Sequence, residues 1–346
     1  MAEFFILGTI FVALAAYLLT GGADFGAGIV ETFAPKSERR RIRELAEHAI
    51  APIWEANHIW IILALVLVFV AYPRLYAQIS ITLHLPLLLM LAGIVLRGTA
   101  FTFRYYDVGG DPTSSRLWTL LFRAGSFATP LIFGMLAAAL VRGQLPNADA
   151  IRAGSAPGSA YALYVAPWVG AFPIATGLFV VCVVAWVAAL FLLGELSEPE
   201  RQAWTARVRR WELLTVMAGA LVSVSAGLEG VPIFSRALGS PVVLAALVVA
   251  TATALWLSRP ATLVQIWPAR VLTAVVVVAF LIGFLAPAYP DALFLGDGTT
   301  LGWHESRAPD EVFRALASAV VVALALVLPG LVYLFRIFKA RPPQAS

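Results

Sequence analysis

Apolar and polar residues follow one another along this chain in long blocks. Apolar runs of roughly 18 to 25 residues recur from one terminus to the other, and each is long enough to cross a ~30 Å hydrocarbon core as a helix. Each apolar run is therefore predicted to form one transmembrane helix, and there are about nine such runs. The predicted spans are residues 4–30, 55–72, 79–101, 117–141, 163–193, 212–230, 241–257, 268–287 and 315–338.

The composition agrees with this pattern. Hydrophobic residues make up 61% of the 346 residues and charged residues 13%, and the mean hydropathy of +0.87 lies outside the range of soluble domains. The fold class is predicted to be an all-α integral membrane protein. The first run is too long for the apolar part of a secretory signal, so we expect it to be kept as the first span. The lone cysteine, Cys182, predicts neither a disulfide nor a thiolate metal site.

Basic residues concentrate in the segments that would lie on one side of the membrane, chiefly 36–43 and 201–210. The positive-inside rule then places the amino terminus outside and the carboxyl terminus in the cytoplasm. The net charge of +4 is explained by this topology, and no nucleic-acid partner is predicted.

Two basic amphipathic segments precede predicted spans in the same way. Residues 36–53 and 197–211 each lead through a Trp-Glu pair, Trp54-Glu55 or Trp211-Glu212, into an apolar run that ends near a proline. This correspondence predicts two pseudo-repeated four-helix bundles and one C-terminal helix. The predicted parts are a first half 1–141 with an interfacial helix 36–53, an outside linker 142–160, a second half 161–287, an outside loop 288–314, and a ninth helix with cytoplasmic tail 315–346.

The strongest candidate for chemistry is the segment 52–60, Pro-Ile-Trp-Glu-Ala-Asn-His-Ile-Trp. It places a carboxylate, an amide and an imidazole at the start of an apolar run, where an ionisable group is costly and usually faces protein or a water-filled path. Glu55 and Asp24, at similar predicted depth on neighbouring helices, are candidates for a proton relay. The alternative is that Asp24 caps or snorkels and that Glu55 is a first-turn acid stabilised by the helix dipole.

Arg97 lies deep in the third predicted span and needs a partner, either a carboxylate or an anionic cofactor group such as a propionate, unless it snorkels to the surface. The histidines do not predict heme ligation by this chain. Only His58 and His84 are in or near spans, and the topology places them near opposite faces of the membrane, so they cannot share one iron. No metal site and no self-contained enzyme active site is predicted.

Four motifs together resemble those of subunit II of the cytochrome bd-type quinol oxidases, including the cyanide-insensitive branch. They are Gly-Ala-Asp-Phe-Gly-Ala-Gly at 22–28, the segment 52–60, Phe69 to Pro73 with Tyr76, and Leu-Arg-Gly-Thr-Ala-Phe-Thr-Phe-Arg at 96–104. These motifs cover the first third of the chain, and the second half adds little beyond its predicted topology.

The resemblance implies a subunit of a respiratory quinol:oxygen oxidoreductase in a bacterial inner membrane. A partner, subunit I, would hold the hemes, either heme b with heme d or b-type heme alone, and oxidise quinol from the quinol pool. This chain would ligate no cofactor itself, although some family members hold a structural quinone, and a small single-span third subunit is left open. Membrane lipid is a further expected partner.

In the family, the acids matching Asp24 and Glu55 belong to a proton path from the cytoplasm, and some members carry a third acid where this chain has Thr102. The resemblance therefore implies a proton path through Asp24 and Glu55 that is either shorter in this chain or served by water and Thr102. The expected supporting residues are Trp54, Asn57, His58, Trp60, Arg97 and Arg104. Two alternatives stay open: a secondary transporter, since transporters also use duplicated halves, and a scaffold without a proton role.

Overall fold

The computed structural model describes residues 1–50, 54–105, 112–259, 263 and 265–339. Within these ranges, the side chains of Ile50, Trp54 to Ala56, Tyr105, Pro112 to Ser115, Leu331 and residues 334–339 also lie outside the description. The chain is almost entirely helical. The helices of the first half are α1 (Ala2–Phe33), α2 (Arg39–Ile50), α3 (Trp54–Ala71), α4 (Pro73–Thr82), α5 (His84–Tyr105) and α6 (Pro112–Val141).

Two short helices, α7 (Ala148–Arg152) and α8 (Ala160–Tyr164), connect α6 to the second half. The helices of the second half are α9 (Ala171–Leu192), α10 (Glu198–Leu228), α11 (Pro232–Gly239), α12 (Pro241–Leu257) and α13 (Ile266–Leu285). The chain then forms strands β1 (Asp291–Phe294) and β2 (Thr300–Gly302), the short helix α14 (Trp303–Ser306) and the long helix α15 (Asp310–Lys339).

In the described ranges, seven helices are long and apolar enough to cross a membrane, or up to nine if each of two bent pairs counts as one span. The prediction of a multi-pass all-α membrane protein is confirmed, and about nine spans lies within this range. The side of the membrane on which each terminus lies stays a prediction.

One bent pair lies among α1 to α6 and the other among α9 to α13. The axes of α3 and α4 differ by 115°, and those of α11 and α12 by 81°. Pro73 and Pro241 stand in the first turns of α4 and α12, where a residue without a backbone N–H starts a helix but cannot continue the preceding one. The predicted span 79–101 is corrected here, because residues 79–82 belong to α4 and α5 begins at His84.

Further boundaries differ from prediction. The predicted span 163–193 begins later, because Ala160–Tyr164 is the separate helix α8 and α9 begins at Ala171. The predicted interfacial helix 197–211 and span 212–230 form one helix, α10, since its one proline, Pro199, lies in the first turn and nothing interrupts the helix afterwards. The predicted outside loop 288–314 contains a two-stranded antiparallel sheet in which Phe294 pairs with Thr300. Its strands are too short and too polar to stand out in the apolar pattern.

Helix α9 lies at the centre of the bundle and packs against α1, α6 and α10. Small residues allow the close crossings: a Cβ on Gly26 would collide with the backbone carbonyl of Val184, and one on Gly134 would lie 2.7 Å from the Cα of Gly177. Gly22 also faces Val184, so Gly22 and Gly26 form the small-residue contact surface that their spacing predicts. These crossings hold α1 firmly, and α1 carries the acidic residues of the candidate site.

Candidate functional site

A buried ion pair joins α1 to α5 in the first half. The carboxylate of Asp24 (0% exposed) contacts the guanidinium of Arg97 (1% exposed). The same Nη2 of Arg97 also donates to the backbone carbonyl of Asp24, at 3.2 Å. Of the alternatives for Arg97, the structure contains the carboxylate partner, and Arg97 does not reach the surface.

Aromatic rings enclose the Arg97 guanidinium. Its Cζ lies 5.1 Å from the ring centroids of both Phe25 and Phe122 and 5.7 Å from that of Phe101, distances at which a cation is attracted to the ring face. A Cβ on Gly125 would lie 2.8 Å from the Cβ of Arg97. The glycine therefore leaves room for the arginine between α5 and α6.

A second buried carboxylate, Glu31, lies two turns further along α1 and is 0% exposed. It accepts bonds from three arginines on three helices, Arg43 of α2, Arg104 of α5 and Arg123 of α6, each at 3.1 Å. Glu47 of α2 approaches Arg104 at 3.6 Å. Three cations thus face two carboxylates, and Glu31 ties four helices together.

The two buried pairs have the same spacing on both helices. Asp24 and Glu31 are seven residues apart on α1, and their partners Arg97 and Arg104 are seven residues apart on α5. Seven residues are two helical turns, or about 10 Å, so each helix presents both charges on one face. Because the partners follow in the same order, α1 and α5 run in the same direction. Arginine side chains of α5 therefore reach two acids of α1, from Glu31 inward to Asp24.

Several buried polar atoms in this region have no hydrogen-bond partner among the described residues. They include Oδ2 of Asp24 and the hydroxyls of Ser126 (0% exposed) and Thr129 (2% exposed), which lie one turn apart on α6. A small cavity of about 20 Å³ is lined by Tyr17, Thr129 and neighbouring apolar residues. That volume is enough for one water molecule beside Thr129.

The predicted site residues divide into several groups. Arg97 and Asp24 are in direct contact, and Arg104 joins the neighbouring Glu31 cluster. The side chains of Trp54 and Glu55, at the start of α3, lie outside the described residues. Thr102 lies on the exposed face of α5 with its hydroxyl donating to Gly98 O at 3.1 Å, so the structure does not bring it to the Asp24–Arg97 pair.

The predicted aromatic and polar residues of α3 lie close to α1 and the core. Asn57 is 4% exposed, and Trp60 packs against the core of the first half. The His58 ring lies 6.2 Å from the ring of Tyr17 and 6.1 Å from that of Phe25. Since Phe25 follows Asp24 directly, the first turns of α3 adjoin the site.

His58 and His84, the histidines in or near predicted spans, lie far apart along the chain of helices. His58 lies near the start of α3. His84 is the first residue of α5, and the rest of α3 and all of α4 separate the two histidines along the chain. From His58 to the end of α3 the helix rises about 20 Å. His84 Nδ1 is 2.9 Å from the Ile81 carbonyl and its ring packs against Tyr164. No cluster of three potential metal ligands occurs in the part of the chain that the structure describes.

Sequence reasoning missed the Glu31 cluster. Glu31 stands at the end of the first apolar run, just before the basic segment 36–43, and there it resembles an ordinary surface acid. The available signal was spacing: Asp24 and Glu31 repeat at seven residues, as Arg97 and Arg104 do. Ser126, Thr129 and Arg123 gave no signal, because isolated polar residues in apolar helices commonly bond to their own backbone.

Fold and site together define a multi-pass helical membrane protein with buried, paired charges in one half of its bundle. The same fold occurs in the bd oxidase of Geobacillus thermodenitrificans, whose chain matches with a TM-score of 0.75 over 99% of both chains at 17% identity. The family model described as cytochrome bd terminal oxidase subunit II matches residues 2–338. This chain belongs to that family.

Curated relatives match over a shorter region. Cytochrome bd ubiquinol oxidase subunit 2 of Bacillus subtilis is 28% identical over 146 residues, which are 42% of this chain and 41% of the relative. Cytochrome bd-I ubiquinol oxidase subunit 2 of Escherichia coli K12 is 28% identical over 138 residues, 40% of this chain and 35% of the relative. The alignments thus span about two fifths of the relatives' own length or less.

Proposed function

We propose that this chain is a subunit of a bacterial inner-membrane enzyme that oxidises quinol and reduces oxygen to water. In this proposal, its first half carries protons from the cytoplasm toward the site of oxygen reduction. Family membership and the names of the relatives, which are ubiquinol oxidase subunits, support the reaction class. The observation that carries the proton role is the buried Asp24–Arg97 pair.

Asp24 has the features of a proton-holding group. Oδ1 is fixed by Arg97, whereas Oδ2 has no partner among the described residues and is free to take a proton from water. The Arg97 guanidinium stabilises the negative charge of the Asp24 carboxylate in this poorly solvated site. A proton bound at Oδ2 would neutralise that negative charge. Arg97 thus acts as a positioning residue that keeps one oxygen of Asp24 in place.

Glu55 is proposed as the second proton-holding residue. It lies one helical turn before His58, whose ring packs against Tyr17 and Phe25 on either side of Asp24 along α1. Helices α1 and α3 also pack along their length. A proton delivered at the start of α3 would therefore have a short way to go to Asp24, with water, Ser126 and Thr129 as available intermediates.

The hemes are proposed to belong to a larger partner subunit, as the family resemblance implies, and the separation of His58 from His84 supports this. When bound there, heme would supply the electron transfer and oxygen chemistry. Helix α15 offers a surface for a partner, because only 11% of its most apolar part, within Asp310–Gly330, is buried in this chain. Val321, Val322 and Leu326 are 55%, 59% and 73% exposed on it.

The test is to purify this chain from its native membrane by an affinity tag, with and without co-expressed partner chains. We expect a reduced-minus-oxidised heme spectrum and quinol-dependent oxygen consumption only when the larger partner is present. Stoichiometric heme on the isolated, folded chain would contradict the assignment of heme to the partner. Absence of oxidase activity from the intact complex would contradict the proposed reaction.

A second candidate is a secondary transporter. It is favoured by one observation, that α1 to α6 and α9 to α13 each combine long helices with one bent pair. This candidate predicts solute uptake by the purified chain alone in liposomes. The oxidase proposal predicts none.

A further inference from the structure

We propose a binding site for one anionic phospholipid in a groove between α1, α6, α9 and α10. The groove lies at the basic end of the bundle, defined by residues 36–43 and 201–210. This inference depends only on the chain being a membrane protein, and it stands whether or not the proton path does.

The groove has the size and lining of a ligand site. Its volume is about 590 Å³, within the ~300–1,000 Å³ usual for ligand pockets. Its walls are mainly apolar, and the Phe33 ring packs against Phe127 and Trp211 at centroid distances of 6.3 and 6.0 Å. Ala203 and Ala206 face it from α10, and their small side chains leave room for an acyl chain.

Two arginines of α10 give the groove a cationic rim. Arg207 stacks 4.3 Å over the Trp204 ring and pairs with Glu38, so its charge is already compensated. Arg210 is exposed and has no hydrogen bond or ion pair within the described part of the chain. An uncompensated cation at the mouth of an apolar groove matches a molecule with an anionic head and an apolar tail.

Helix α10 also fixes the depth of this rim. Residues 198–210 are rich in charge, whereas just beyond them Leu213, Val216 and Met217 are 60%, 61% and 58% exposed, as expected for side chains that face lipid tails. Arg210 stands at the change from one region to the other, where lipid phosphates lie. Basic pockets between membrane helices are typical sites for anionic lipid head groups.

A phospholipid explains the groove better than a soluble anion does. A free phosphate would use Arg210 but would leave the apolar walls exposed, and a neutral lipid would use the walls but not the charge. Charge complementarity at the rim and the apolar lining together favour an anionic phospholipid such as phosphatidylglycerol.

The test is native mass spectrometry of the complex purified with its partner chains, delipidated and titrated with dioleoylphosphatidylglycerol. The comparison arms are dioleoylphosphatidylcholine and inorganic phosphate. Loss of one interfacial arginine removes about 1 kcal/mol of attraction, so Arg210→Gln should weaken phosphatidylglycerol binding about fivefold. Arg259→Gln, an exposed arginine elsewhere, is the matched control and should bind as the wild type does.

A second variant tests the apolar part of the groove. Ala206→Trp should fill it and reduce retention of both lipids, while Arg210→Gln should remove only the preference for phosphatidylglycerol. The proposal is overturned if Arg210→Gln binds phosphatidylglycerol as tightly as wild type, or if the wild type retains both lipids equally. Competition by inorganic phosphate alone at equal concentration would also overturn it, since it would indicate a free anion site.

Discussion

The two predicted halves of the chain differ in the charge that their helices bury. In the first half, α1 and α5 bury two acids and two arginines, Asp24, Glu31, Arg97 and Arg104, against one another. In the second half, the corresponding helices α9 and α12 contain no charged residue. Helix α9 instead buries an apolar series that includes Val184, Trp186 and Leu190.

This difference shows that the architecture does not need buried charge. Desolvating an ion pair is expensive, and an apolar replacement of the same volume is often as stable or more so. The second half demonstrates such an apolar interior in the same chain. We therefore attribute the buried charges of the first half to function, and the proposed proton path would use them.

The acids Glu195 and Glu212 of the second half are partly exposed. Glu195 and Arg270 are 3.7 Å apart and 26% and 16% exposed. Glu212, which occupies the place of Glu55 in the predicted repeat, accepts from the Ser258 hydroxyl at 2.6 Å. These groups offer matched controls for each acid of the first half.

The largest expected effect is that of Arg97→Leu. It leaves the Asp24 carboxylate buried without its partner, which costs about 3–5 kcal/mol, so the complex should fail to assemble or should melt much earlier. Arg97→Lys should rescue only in part, since lysine lacks the planar fork. Thermal denaturation of the purified complex measures both variants.

The double variant Asp24→Leu/Arg97→Leu sharpens this comparison. It makes the interior of the first half resemble that of the second, so it should recover most of the lost stability without recovering oxygen consumption. Stability of Arg97→Leu equal to that of wild type would indicate that the pair is not desolvated in the assembled protein.

Glu31→Leu should have the next largest effect. It leaves three guanidiniums facing only Glu47, but Arg43 and Arg123 are 29% and 22% exposed and can recover some hydration. We expect a loss of about 1–3 kcal/mol, measured by thermal denaturation, with Glu31→Gln losing less. A Glu31→Leu protein as stable as wild type would show that this cluster does not hold α1, α2, α5 and α6 together.

Glu195→Gln should have a small effect. Its partner Arg270 is partly solvated, and exposed pairs contribute about 0–1 kcal/mol. Thermal stability and oxygen consumption should both stay close to wild type. A loss as large as that of Glu31→Leu would remove the distinction between the halves.

The smallest effect concerns Glu47, which lies on α2 outside the spans. Burial raises the pKa of its carboxyl, and Arg104 and Arg43 oppose the rise. Because the pKa of Glu47 is raised in the folded protein, its protonation stabilises the fold at pH values below the ordinary glutamate pKa. This stabilisation is lost as the pH rises through the pKa of the folded state. The melting temperature of Glu47→Gln minus that of wild type should therefore be higher at neutral pH than at pH ~4. Greater loss at neutral pH than at acid pH would contradict this, and the exposed Glu44→Gln is the control.

The sequence predicted the helices well because membrane thickness fixes the length of an apolar run. It also predicted that Arg97 needs a partner, since a charge at that depth cannot remain alone, but three-dimensional packing was required to identify Asp24. The boundary inside α10 was wrong because a change in polarity, here from charged to apolar near Trp211, does not by itself end a helix.

The Glu31 cluster could not be predicted in full because its arginines come from three other helices. Arg43, Arg104 and Arg123 are spread over 80 residues, and no local pattern links them. Only the packing of α2, α5 and α6 around the end of α1 brings them to one carboxylate. The proton-path roles of Glu55 and Thr102 stay predictions from the family resemblance. Thr102 lies on the exposed face of α5.

The central claim is that the acids of the first half carry protons, and oxygen consumption per heme-containing complex in proteoliposomes tests it most directly. The variants are Asp24→Asn and Glu55→Gln, which keep shape but do not titrate, together with Glu55→Asp and the control Glu212→Gln. General acid–base groups contribute about 10²-fold or more, so the first two should lose most turnover with heme content retained. Glu55→Asp should be milder, and Glu212→Gln should match wild type. Equal rates in all four variants would contradict the account and leave these carboxylates a structural role.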